Sequence, residues 1–467
     1  MRASNVRMIT TSAVAALALL AGCTTADPGK DSNDTAKAKK ITVWTLEDVE
    51  DRVTKTKAIM SAFTKKSGVD VELVAIAEDQ FDQVVTSAAA NGKLPDVIAA
   101  LPLSSVQSLA VNDLLDKKTP GEIVEALGTD TFSEAALKLT RDGDTQLSVP
   151  SDAWSQLLYY RTDLFKQAGL APPDTFEAIT AAAKKLTTGG TAGIALSTTP
   201  GDGFTQQSFE YFALGNKCEL VDDSGKVTLA SKQCVESFAF YNDLVKNASV
   251  KGNQDVDTTR ANYFAGKTAM VVWSTFLLDE LAGLRDDALP TCPQCKTDKA
   301  FLAKNTGVVG PVRGPSGEPR QYGEIVSWTI TRDANPPASK EFVEYMMGTA
   351  YVDWLGIAPE GKVPVRKGTA DESDKFLKSW AGLKAGVDRK APLADFYSSE
   401  TLDSIVKGPE SFARWGFPQG QGELVGAMAG QLPVPKAIAE MVSGDREPAA
   451  AAKQAQAAVS EIAESLK

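Results

Sequence analysis

The chain has 467 residues, 43% of them hydrophobic, and 49 basic residues against 60 acidic ones give a formal net charge of -11. An acidic body without a basic cluster argues against nucleic acid and against a polybasic membrane-binding face. With no histidine anywhere, Ser-His-Asp, Cys-His and His-metal chemistries are excluded together.

The elements begin with a leader. Arg2 and Arg7 precede a run of Ala, Leu, Val and small hydroxyl residues from Ile9 to Ala21. That run falls short of the about 20 apolar residues a membrane span needs, so residues 1–22 read as a signal peptide. Leu20-Ala21-Gly22-Cys23 resembles the bacterial lipobox, which implies acyl chains on Cys23 and attachment to the cell membrane. The polar stretch to Lys40 has almost nothing to bury, so residues 23–40 are expected to be a disordered tether.

Next, "ITVWTLEDV" alternates like a strand and Arg52 to Lys66 has helical spacing that stops at Ser67-Gly68. "VDVELVAIA" reads as a strand, "FDQVVTSAAANGK" as a helix and "LPDVIAALP" as a third strand. This alternation predicts a parallel α/β sheet with helices on its faces and a ligand beyond the carboxyl ends of the strands. From Val149 the pattern turns helical: "SQLLYYRTDLFKQAGL", "DTFEAITAAAKKL", "SFEYFALGN" and "CVESFAFYNDLVKNA", with a strand at "KTAMVVWS". "GVVGPVRGPSGEPR" and "GKVPVRKG" are Gly- and Pro-rich joints, and Ala449 to Lys467 is a terminal surface helix.

Four cysteines remain beside Cys23. An even number in an exported chain suggests disulfides, and the nearest pairings are Cys218 with Cys234, across a turn-like "DDSG", and Cys292 with Cys295. The Cys-x-x-Cys unit could instead be a redox pair or half of a zinc site. The first lacks a thioredoxin-like context, and the second would have to recruit Cys218 and Cys234.

Several segments, taken in order, resemble the extracellular solute-binding proteins of ABC importers, in the group that serves sugars. These are "ITVWT", "NGKLPDVIA", "VPSDAWSQLLYYRTDLFKQAGLAPPDTFEAIT", "YFAGKTAMVVWSTF", "GKVPVRKG" and "MVSGDREPAAAAKQAQ". Phe176 stands where that family carries Trp. The resemblance implies an α/β, two-lobe periplasmic-binding-protein-like fold with an interlobe cleft and hinge crossovers near Val149, from Val308 to Pro315 and near Pro364. One lobe would hold 41–148 plus 322–362, the other 149–321 plus 363–467. It implies a monomeric receptor, with no cofactor and no bound metal, that delivers its ligand to ABC permease subunits.

A sugar site needs aromatic platforms for C–H faces and carboxylates or amides for hydroxyls. Trp44, Trp154, Trp273 and Trp328 stand at family site positions, with Ser274 and Phe276 in the loop of Trp273, and Arg414 and Trp415 in "ARWGFPQG". Trp354 and Trp380 lack that context and are assigned to packing. Glu47, Asp48, Asp96 and Asp152 are the candidate carboxylates and Gln156 a candidate amide. Capping of the next element competes for Asp96. The competing functions are a binder of a non-sugar solute (polyol phosphate, polyamine or peptide) and a glycosidase working through two carboxylates.

Overall fold

The computed structural model describes residues 40–77 and 80–467. The leader, Cys23 and the tether up to residue 39 lie outside the described residues.

The predicted alternation is present: strand Lys40–Thr45, helix Glu50–Ser67, strand Asp70–Ala75, helix Phe81–Ala90 and strand Val97–Pro102. The first helix has Glu50 and Asp51 in its first turn and Lys65 and Lys66 in its last, each end opposing the helix dipole. It stops at Gly68, whose left-handed backbone (φ 75°) turns its N–H back to the Thr64 carbonyl. Strand Lys40–Thr45 pairs in parallel with both Asp70–Ala75 and Val97–Pro102.

Strand Gln321–Ile330 then adds antiparallel to Val97–Pro102, and strand Val149–Arg161 adds antiparallel to Gln321–Ile330. Val149–Arg161 joins two halves of the molecule. Residues 149–155 pair with Gln321–Ile330, while 156–161 pair with Met270–Ser274 and Thr306–Val309. Val363 and Pro364 pair back onto Ala153 and Asp152. The segment "SQLLYYR", read as helical from its sequence, is thus strand, and the helix begins only at Thr162. Nearly every residue of the strand is buried. An apolar run buried on both faces loses its alternation and resembles a buried helix.

Among the described residues, three large cores pack around this sheet, the third of them holding Tyr159, Tyr263, Trp273 and Trp380. Ile41, Val43, Phe63, Trp328, Phe342 and Trp354 belong to the first. Phe209, Phe212, Tyr241, Trp415 and Ile438 belong to the second, which the terminal helix Pro448–Ser465 also joins through Ala452, Ala455 and Val459. Phe376 lies in the first core against Tyr351, with ring centroids 4.8 Å apart. Both cysteine pairs are bridged, Cys218–Cys234 at 2.11 Å and Cys292–Cys295 at 2.03 Å. Among the described residues no helix is long and apolar enough to cross a membrane.

Candidate functional site

A cleft of about 560 Å³ opens where the parallel strands end. Leu46, Glu47 and Asp48 enter it directly after strand Lys40–Thr45. Ala100 and Pro102 enter from strand Val97–Pro102, where the register breaks between Ile98 and Leu101 and Ala100 takes a left-handed backbone (φ 58°). Tyr322, Glu324 and Val326 line it from alternate positions of one strand, which therefore share a face. Trp154 stands opposite Glu324 in the neighbouring strand. Gln206 and Gln207 come from the first turn of helix Gly203–Gly215, and Phe276 follows strand Met270–Ser274.

One wall is aromatic. The half-buried Trp154 ring lies 6.0 Å from Tyr322 and 6.4 Å from Phe276. Phe276 fits because Gly361 has no side chain: a Cβ there would come within 2.1 Å of the ring.

The remainder is charged and tightly paired. Lys362 Nζ is 2.7 Å from Glu47 Oε1 and 3.5 Å from Asp152 Oδ2, and it lies 4.3 Å from the centre of the Trp354 ring. Arg52 reaches Glu47 at 3.1 Å and Glu360 at 3.4 Å. Burial would raise the Glu47 carboxyl, but Lys362 and Arg52 together hold it down at about 2. Asp152 is fully buried, which pushes it upward while Lys362 draws it back; the Trp354 indole N–H donates to its Oδ1 at 2.6 Å. On the opposite side Arg414 is ion-paired to Glu324 and, at 3.3 Å, to Glu210. Its guanidinium lies 4.4 Å from the Tyr322 ring centre, and Glu324 Oε1 also accepts the Leu103 N–H at 2.8 Å.

Of the residues singled out from sequence, Glu47, Asp48, Asp152, Trp154, Phe276 and Arg414 meet in this cleft. The others do not line it. Trp44 packs with Ile76, Phe81 and Ile98. Asp96 accepts the Thr42 and Asn335 N–H groups, both at 2.8 Å, and so fastens two elements together. Trp273 is buried beside Phe204 and donates to the Val256 carbonyl at 3.0 Å, while the Ser274 carbonyl accepts the Tyr159 hydroxyl at 2.8 Å. Trp328 lies between Phe342 and Trp354, and Trp415 donates to the Cys218 carbonyl at 2.6 Å. Gln156 sits behind the wall and donates to Gln207 Oε1 at 3.1 Å. A Trp at a loop start is thus as readily a core residue as a platform, because long-range pairing decides which way the strand faces. Sequence reasoning missed Arg52, Tyr322, Glu324, Lys362, Gln206 and Gln207. For Lys362 there was a signal, since it is the second residue of the joint "GKVPVRKG".

Residues 58–385 match the family profile described as bacterial extracellular solute-binding protein. Over 444 residues, 92% of this chain and 94% of the relative, the sequence is 26% identical to the putative ABC transporter periplasmic-binding protein YcjN of Escherichia coli strain K12. Among solved structures, the cyclic alpha-maltosyl-1,6-maltose binding protein of Arthrobacter globiformis matches with a TM-score of 0.69 at 17% identity, covering 91% of this chain and 99% of that one. A sugar transporter from Arthrobacter chlorophenolicus A6 with bound laminaribiose matches with a TM-score of 0.65 at 17% identity, over 90% and 99%. These likenesses establish the fold as the two-lobe α/β architecture.

Proposed function

This chain belongs to the bacterial extracellular solute-binding proteins, which serve ABC transporters, and from that premise we propose that its cleft captures a carbohydrate, a mono- or oligosaccharide, for delivery to the membrane permease. The observation that carries the reading is the meeting of the Trp154 and Phe276 rings, backed by Tyr322, with the carboxylates of Glu47, Asp48 and Glu324 in one cleft. Rings offer apolar faces to the C–H surface of a sugar, and carboxylates accept its hydroxyls. Proteins of the same fold named for a cyclic maltosyl-maltose and solved with laminaribiose support it by analogy alone.

The ligand is released chemically unchanged. The lobes are 41–148 plus 322–362 and 149–321 plus 363–467, and they close on the ligand as a hinge. The chain acts as a monomer. Residues 1–22 are removed and Cys23 is acylated, which holds the protein on the outer side of the cell membrane by a tether.

A thermal-shift screen of mono- and oligosaccharides, polyols, polyol phosphates, polyamines and peptides tests the reading. At 100 times its Kd, a true ligand stabilises the fold by about 2.7 kcal/mol. A response confined to a non-sugar class refutes the carbohydrate assignment, and product formation refutes the receptor.

A further inference from the structure

Three cations line the cleft, and each is already claimed by two carboxylates. Lys362 is held by Glu47 and Asp152, Arg52 by Glu47 and Glu360, and Arg414 by Glu324 and Glu210. Lys362 and Arg414 are also flattened against rings, those of Trp354 and Tyr322. Asp48 is the exception among the lining carboxylates: it is exposed and makes no hydrogen bond or ion pair among the described residues.

This arrangement discriminates by charge. Each of these cations already has its charge balanced by two carboxylates, so a phosphate or carboxylate on a ligand either meets those carboxylates as like charges or displaces one of them. Asp152, Glu210 and Glu360 are almost wholly inaccessible, so the displaced group would be left buried and unpaired, at high cost. A neutral hydroxyl displaces nothing, since it donates to carboxylate oxygens that remain paired. A protonated amine does the same and gains Asp48.

We propose that the cleft is a charge filter that admits neutral and amine-bearing saccharides and rejects sugar phosphates and uronates, with Asp48 favouring the amine. The proposal rests on the carbohydrate reading above and narrows it.

The test is isothermal titration of the mature protein with matched sets: glucose, glucosamine, glucuronate and glucose 6-phosphate, and the neutral parent with the same three derivatives for galactose, for mannose and for any oligosaccharide that responds in the thermal-shift screen. Where the neutral parent binds, the uronate and the phosphate should bind at least about tenfold more weakly, and the amine as tightly as the parent or tighter. Asp48→Asn should lower the amine-to-neutral affinity ratio, and so should raising the salt to about 0.5 M. An anionic derivative that matches its parent overturns the filter and leaves the carbohydrate reading standing. A ratio unmoved in Asp48→Asn overturns the role of Asp48. Silence from every saccharide of this set and from every oligosaccharide of the thermal-shift screen, whatever its charge, overturns both the reading and the filter.

Discussion

Lys362 Nζ lies 2.7 Å from Glu47 Oε1, and so joins the segment before Val363–Pro364 to the loop that leaves the first strand. Lys362 is only 3% exposed and also faces Asp152, which has no exposed surface. Replacing it leaves the buried Asp152 without a cation and Glu47 with Arg52 alone. Lys362→Met should therefore cost about 3–5 kcal/mol, read as a lower urea midpoint at pH 7. It should also raise the Glu47 carboxyl, because the first of its two cations is gone. An unchanged midpoint would show that the pair is not formed in solution.

Trp154 and Trp415 separate binding from folding. Trp154 is half-buried in the cleft wall, so Trp154→Ala should weaken any responding saccharide by roughly tenfold or more while moving Tm little. Trp415 is 1% exposed and packs on Phe209. Trp415→Ala should cost about 3–5 kcal/mol of stability, and Trp273→Ala should behave the same way. If Trp273→Ala abolishes binding with no loss of Tm, its placement in the core is wrong.

Much of this was readable in the sequence, for physical reasons. Half-buried strands alternate and helices end at glycine, so the order from Ile41 to Pro102 emerges from local pattern alone. The cleft does not. Tyr322 and Glu324 become cleft residues only because Gln321–Ile330 pairs with a strand more than 150 residues earlier in the chain, a register no local pattern contains. The same pairing buries Trp328 in the core four positions beyond Glu324. Lys362 escaped notice because its partners, Glu47 and Asp152, are distant in sequence, and Arg52, although only 5 positions from Glu47, because its other partner, Glu360, lies 308 positions away.

Gly361 tests the support of the aromatic wall. An added Cβ would sit 2.1 Å from Phe276 Cε1, so Gly361→Ala must push that ring from its seat. Overpacking of this kind costs about 1–3 kcal/mol. Saccharide affinity should fall as well, and in a Phe276→Ala background Gly361→Ala should cost little further stability. An equal loss of Tm from Gly361→Ala with and without the Phe276 ring would mean that the clash lies elsewhere.

The two disulfides should differ in worth. Cys218 and Cys234 are 16 positions apart and Cys292 and Cys295 only 3. Loop-closure entropy assigns about 3 kcal/mol to the first and about 2 kcal/mol to the second. Peptide mapping without reduction should recover both links, and the Cys218→Ser, Cys234→Ser double variant should lose more stability than the Cys292→Ser, Cys295→Ser variant. Four free thiols, or a bound zinc ion, would contradict the pairing.

Stability should rise as the pH falls from 8 to about 5, because of Asp279 and Glu280. Burial lifts Glu280 to about 7 against the pull of Arg260 and Arg285. Asp279 is raised well above its ordinary value by burial and by the nearby Glu360 and Glu280, and neither of its oxygens has a hydrogen-bond partner among the described residues. A carboxyl raised on folding contributes stability that is complete below its ordinary value, 4.5 for Glu280, and is lost as the pH climbs through the folded value. For Glu280 that window runs from 4.5 to about 7 and spans about 3 kcal/mol. Glu47 acts in the opposite sense but lower down. Held at about 2, it contributes stability that is present above 4.5 and fades only as the pH falls below that. The two effects place maximum stability near pH 5. Urea unfolding at pH 5, 6.5 and 8 should follow this slope, and Glu280→Gln should flatten it by up to the same few kcal/mol. A protein that is more stable at pH 8 than at pH 5, or a Glu280→Gln variant with an unchanged slope, would show that Glu280 is not buried as described.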